Sequence, residues 1–170
     1  TVERLQALRP DAVFFAGFDR QAGLLLLQMR RQGLQARFVT GDAACTQDLV
    51  SFWAAGAAAD DQVLCALPAG VQAQASPQMD QFVASYAQQH GASPEFYGAY
   101  TYDAVMLIGD AVRRAGSTSP AALQQALEQT HGYIGVTGPI EFDSRGDRVA
   151  PAVSLYTYRD EQRILLRTLR

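Results

Sequence analysis

Lysine is absent from this 170-residue chain; all 14 of its basic residues are arginine. That excludes a phosphate-binding Gly-Lys-Ser/Thr loop, a Schiff-base lysine and a lysine general base. Asparagine is absent too, so there is no N-glycosylation sequon and no Asn-Gly hairpin turn. A GC-rich genome favouring Arg and Ala explains both gaps as well, and the chemical exclusions hold either way. Histidine and cysteine occur twice each. His90 and His131 are 41 residues apart, each beside a Gly at a helix end, without the spaced partner a metal site needs. No metal or cofactor is expected. Long apolar runs are missing as well. Ala12 to Phe18, Leu24 to Leu27 and Ala104 to Gly109 all fall well short of the ~20 residues of a membrane helix.

The residues that are present describe a globular chain. Apolar residues make up 48% and charged residues 18%, enough to build a core and too apolar for disorder. The net charge of −3 argues against nucleic acid or an anionic membrane as partner. The chain opens Thr1-Val2-Glu3-Arg4, with no initiator Met and no signal peptide. That suggests a processed chain or a fragment.

Apolar extended segments alternate with amphipathic helical ones. Val2 to Arg9 reads as the tail of a helix, stopped by Pro10. Asp11 to Phe18 reads as a strand covered on both faces. Asp19 can cap a helix over Arg20 to Gln32, with Arg30 and Arg31 in its last turn and Gly33 as the stop. Ala36 to Thr40 is the next strand, Thr46 to Ala59 a helix, and Gln62 to Leu67 a third strand. This β-α-β-α-β order calls for a parallel sheet. Ser76-Pro77 starts a helix ending at Gly91. A second runs from Phe96 to Arg114, with Val105, Leu107, Ile108 and Val112 on its apolar face, and a third from Ala121 to Gln129. Gly132 to Pro139 reads as a loop, followed by a short extended Ile140-Glu141-Phe142. Asp143 to Asp147 is a turn, and two strands close the chain, one through Val153 to Tyr158 and one over Arg163 to Leu169.

No Gly-x-Ser-x-Gly elbow and no Gly-x-Gly-x-x-Gly fingerprint occurs, so neither an α/β-hydrolase nor a dinucleotide site is indicated. A hydrolase would need a nucleophile at a strand end. Thr40 and Thr46 are the hydroxyls near Asp42, and no His is at hand. Cys45 and Cys65 lie one after the second strand and one within the third. They form a disulfide in an oxidising compartment or remain two buried thiols in a reducing one. In open α/β sheets, ligands bind beyond the carboxyl ends of the strands. There Phe18 offers an apolar wall, or else a core residue. Asp42 offers a carboxylate on a Gly-flanked turn, suited to an ammonium group, or else simply a turn residue.

Four stretches carry a resemblance: Pro10 to Phe18; Gly33-Leu34 with Phe38-Val39-Thr40-Gly41-Asp42; Tyr97-Gly98-Ala99-Tyr100-Thr101-Tyr102-Asp103-Ala104; and Gly135 to Asp143 with Gly146-Asp147. In order and spacing they resemble the C-terminal half of the periplasmic Leu/Ile/Val-binding proteins, the branched-chain amino-acid receptors of ABC transporters. The resemblance implies an α/β, type I periplasmic binding protein fold, with Rossmann-like parallel sheets flanked by helices, here an incomplete two-lobe fold. Residues 1–65 and 152–170 would belong to the C-terminal lobe and 66–151 to the N-terminal lobe, with the N-terminal half of the family fold absent. The family's ammonium-binding acid falls on Asp42 and its aromatic wall on Phe18, where Phe lacks the hydroxyl of a Tyr. Tyr100 is a further pocket candidate, and Asp103 is expected to hold its helix start. The implied function is non-enzymatic: binding an amino acid between lobes, in the periplasm, for an ABC transporter permease. An extracellular sensor or amide-responsive regulator on the same fold is the alternative. The missing half, or a self-dimer, would complete the fold.

Overall fold

A computed structural model describes residues 2–53, 62–68 and 76–169. The chain divides into two compact units, residues 1–68 with 152–170, and residues 69–151.

The first unit holds a five-stranded sheet. In chain order its elements are α1 (Val2–Leu8), β1 (Ala12–Phe15), α2 (Asp19–Arg31), β2 (Arg37–Thr40), a 3₁₀ turn (Asp42–Ala44), α3 (Leu49–Trp53) and β3 (Val63–Pro68). After the second unit the chain returns as β6 (Val153–Arg159) and β7 (Gln162–Leu169). The strand order is β1-β2-β3-β6-β7. The first three are parallel, and β6 and β7 add antiparallel. Parallel pairing requires the helical crossovers that the sequence supplies, whereas β6 and β7 need only a tight turn.

One sheet face is densely packed. Phe38, Val63, Cys65 and Tyr158 are buried, and Phe15 stacks on Phe38 at 6.0 Å. Trp53 of α3 meets Tyr158 edge-on at 5.2 Å. Gly23 in α2 faces Phe52, whose Cβ would lie 2.4 Å from an added methyl. Only glycine lets the two helices come this close. Fully burying a side chain such as Phe38 contributes roughly 2 kcal/mol. Cys45 and Cys65 form a disulfide, with Cα atoms 5.4 Å apart. Closing that loop contributes about 3 kcal/mol in the chain-entropy account.

Several expectations change here. The first strand is only Ala12–Phe15 and is not covered on both faces. It ends the sheet order, its pairing among the described residues is with β2, and Phe14 is 70% exposed. A continuous apolar run therefore misled, because the second face of this edge strand is bare. The helix expected from Thr46 starts at Leu49, and the Thr46 hydroxyl accepts from Leu49 N–H at 3.1 Å. The rest of that helix, toward Ala59, lies outside the described residues. Two-residue hairpin turns do not need Asn-Gly: Asp160 and Glu161 join β6 to β7, both with positive φ, 48° and 61°.

The second unit contains α4 (Pro77–His90), α5 (Gly98–Ala115), α6 (Pro120–Glu128), β4 (Tyr133–Gly135) and β5 (Gly138–Ile140). Ser76 caps α4 by accepting from Met79 N–H, with Pro77 in the first turn and a left-handed Gly91 at the end. Ser119 caps α6 likewise. Ala99, Asp103, Leu107 and Ala111 form the buried stripe of α5. Val105 and Ile108, expected inward, are 63% and 49% exposed. Leu107, also expected inward, is buried; the helix is apolar on more than one face, and periodicity alone does not choose between them. Residues 133–140 are not a loop but an antiparallel hairpin. Its turn is held by Asp103, whose Oδ1 accepts from Val136 N–H and whose Oδ2 accepts from Thr137 N–H and hydroxyl. Asp103 thus clamps this hairpin rather than its own helix start.

Candidate functional site

The site grows from the carboxyl ends of β1 and β2. Phe15 and Thr40 are register partners, and Thr40 and Cys65 are partners in the next pair. The loops after β1 and β2 therefore leave the sheet at one level, side by side. The buried Thr40 hydroxyl donates to Phe15 O at 2.9 Å, which fixes the two ends together.

Phe18 occupies the N-cap position of α2 and is 69% exposed. That removes the core reading of this ring. Asp19 is not the cap: it is the first helical residue. One of its carboxylate oxygens accepts from Arg20 N–H at 2.7 Å, and the other accepts from the Thr46 hydroxyl at 3.0 Å. Asp42 opens the 3₁₀ turn after β2, with its side chain exposed. Its carbonyl accepts from Cys45 N–H at 3.0 Å, closing the turn. Gly41 before it is extended, with φ −86° and ψ −168°.

The segment after the turn, Cys45 to Gln47, is held from several sides. The disulfide ties Cys45 to β3. Arg163 of β7 donates to Cys45 O, and its guanidinium also lies 5.0 Å from the Tyr156 ring centre. Tyr158 of β6 donates its hydroxyl to Thr46 O at 2.7 Å. Gln47 reaches the β6–β7 turn, donating to Glu161 O at 2.7 Å and accepting from Arg163 N–H at 3.1 Å. Burial drives the Tyr158 hydroxyl well above the usual phenol range; the Arg163 charge opposes this and Asp19 adds to it.

The structure thus brings Phe18 and Asp42 to adjoining strand ends. Tyr100 belongs to the second unit. It sits in the first turn of α5, half-buried, its ring 5.6 Å from Phe96. His90 ends α4, and His131 stands 2.9 Å from Glu141 on the surface. That carboxylate partner is ten residues away in sequence. Among the described residues no group of three or more His, Cys, Asp or Glu side chains could hold a metal ion, and no helix is long and apolar enough to cross a membrane. No sequence pattern signals the ties from Tyr158 and Arg163, which lie 112 and 118 residues from their partners.

The first unit is thus a parallel-containing α/β unit with an exposed acid, Asp42, and an exposed aromatic, Phe18, at its strand ends. The chain belongs to the periplasmic binding protein family, whose model matches residues 1–162. It is 28% identical over 157 residues to the Leu/Ile/Val-binding protein homolog 1 of Brucella suis, spanning 92% of this chain and 41% of that protein. Among solved structures, a leucine binding protein from Thermotoga maritima matches with a TM-score of 0.83 at 23% identity, over 99% of this chain and 47% of that one. An ABC transporter substrate-binding protein from Desulfitobacterium hafniense, in complex with Leu, matches with a TM-score of 0.70 at 26% identity, over 96% and 46%. The chain therefore spans less than half the length of these relatives.

Proposed function

We propose that this chain is part of the substrate-binding component of an ABC transporter, and that it takes an α-amino acid with a branched-chain or related side chain. The observation that carries the reading is the pairing of Asp42 and Phe18, both exposed at the ends of neighbouring parallel strands. Asp42 receives the ammonium group in a charge-assisted hydrogen bond, and Phe18 covers the apolar side chain. The names of the Brucella and Desulfitobacterium relatives support this class of ligand.

In this reading, residues 1–68 with 152–170 are part of the C-terminal lobe and residues 69–151 part of the N-terminal lobe. Tyr100 of α5 is a further candidate for contact with the ligand. Polypeptide beyond these residues, or a second copy of the chain, supplies the groups that hold the ligand carboxylate. A ligand with higher affinity for a closed arrangement of the whole protein shifts the population toward it. A permease then reads the closed form in the periplasm. The role is binding and not catalysis.

Calorimetric titration of L-leucine, isoleucine and valine tests the reading. The protein used is one that carries this sequence with the complementary half of the family fold. Asp42→Ala is expected to cost at least about 2 kcal/mol, the worth of a buried charge-assisted bond. Unchanged affinity would retire Asp42 as the anchor. The 170-residue chain by itself is expected to bind these amino acids weakly or not at all.

A further inference from the structure

We infer that Thr46 is a positioning residue, which sets the Asp42 turn against the Phe18 turn through its bond to Asp19. The inference rests on the proposed binding role of Asp42 and Phe18. No ligand contact is assigned to Thr46 itself.

The side chain of Thr46 bonds to two different elements. Its hydroxyl donates to Asp19 Oδ2 at 3.0 Å and accepts from Leu49 N–H at 3.1 Å. Its carbonyl accepts from the buried Tyr158 hydroxyl at 2.7 Å. Asp19 follows Phe18 directly, and its other oxygen holds Arg20 N–H at the start of α2. Thr46 follows Cys45, whose N–H closes the Asp42 turn at 3.0 Å. One hydroxyl therefore joins the residue next to the aromatic wall to the segment that ends the acid's turn.

The neighbouring ties place Thr46 relative to the sheet and end away from the Phe18 loop. The disulfide fixes Cys45 to β3, and Arg163 fixes the Cys45 carbonyl to β7. The Thr46–Asp19 bond, in contrast, crosses between the two loops beyond the strand ends. A binding site needs its acid and its apolar wall at a fixed separation, and side chains that lock the loops supply this. Loss of the bond leaves the sheet, the disulfide and the Thr40–Phe15 tie at the strand ends intact and loosens the two loops beyond them.

The test compares Thr46→Val, Thr46→Ser, Asp19→Ala, Asp19→Asn and the double variant Thr46→Val/Asp19→Ala. Two quantities are read: hydrogen exchange at Cys45 N–H by NMR, and L-leucine affinity by calorimetry. The protein is again the one that carries the complementary half of the family fold. Thr46→Val and Asp19→Ala are expected each to speed Cys45 exchange and weaken leucine binding by about fivefold or more. Thr46→Ser, which keeps donor and acceptor, should stay within about twofold of the parent. Asp19→Asn, whose single acceptor oxygen can serve the Thr46 hydroxyl or Arg20 N–H but not both, should fall between the parent and Asp19→Ala. The double variant should cost less than the two singles combined, since both lose the shared Thr46–Asp19 bond, while Thr46→Val alone also loses the Leu49 N–H bond and Asp19→Ala alone the Arg20 N–H bond. If Thr46→Val does not fold, Asp19→Ala against Thr46→Ser decides the same point. Parent-like exchange and affinity in Asp19→Ala would overturn the inference, as would a double variant whose effects multiply. Faster Cys45 exchange in Asp19→Ala, in a protein whose leucine affinity ignores Asp42→Ala, would uphold the brace and strike down the binding role of Asp42 instead.

Discussion

Asp103 accepts both the main-chain N–H and the hydroxyl of Thr137, at 2.8 and 2.6 Å. The two residues are 34 apart in sequence, and Asp103 is 3% exposed. Val136 N–H adds a third bond at 2.8 Å. Arg148 steadies the same turn by donating to Thr137 O and Pro139 O. The hairpin β4–β5 thus owes its position to one acid on α5.

Asp103→Ala is expected to destabilise the protein by about 3 kcal/mol, since it strands three donors, two of them on the buried Thr137. Chemical denaturation followed by circular dichroism checks this. Gly135→Ala should be of similar size by another route. An added Cβ would stand 2.5 Å from Asp103 Cγ and Oδ2, so hairpin or helix must shift. A Gly135→Ala protein as stable as the parent would contradict the clamp.

The β6–β7 turn carries avoidable strain. Glu161 holds φ 61°, where a side chain costs about 1 kcal/mol relative to glycine. Glu161→Gly should therefore raise stability by up to about 1 kcal/mol in a denaturant titration. The carbonyl that Gln47 uses is kept.

Tyr158 makes stability fall at alkaline pH. Its hydroxyl is buried and donates to Thr46 O, so the folded state holds its proton well above the ordinary value of 10.0. Below pH 10 the phenol is protonated whether the chain is folded or not, and the full stability is present. Above it the unfolded chain releases the proton first, and unfolding is favoured by about 1.4 kcal/mol per pH unit until the folded state titrates too. Denaturation midpoints between about pH 9 and 11.5 measure the slope, and Tyr158→Phe should remove this contribution. Equal slopes in parent and variant would contradict it.

Where local chemistry decides an element, the sequence was a good guide. Ser76-Pro77 and Gly91 bound α4 as expected, and the three apolar strands of the first unit pair in parallel. The hairpin at 133–140 was hidden because glycine and proline there carry little strand propensity, and its support comes from Asp103. In α5 the expected stripe is right at Leu107 and wrong at Val105 and Ile108, which are as apolar but lie on an open face. Asp42 and Phe18 were legible as strand-end residues, since topology fixes where such ends lie. The roles of Thr46, Tyr158 and Arg163 were not. Tyr158 and Arg163 bond across more than 100 residues, and ties of that span leave no local pattern.

The binding role stands or falls on Asp42 receiving a ligand's ammonium group. A crystal structure of a protein carrying this sequence with the complementary half of the family fold, grown with L-leucine, tests it most directly. The expected result is an Asp42 carboxylate oxygen about 2.8 Å from the leucine nitrogen, as charge-assisted bonds run, with the Phe18 ring against the leucine side chain. Leucine bound with its nitrogen held by other groups, and Asp42 turned to solvent, would contradict it.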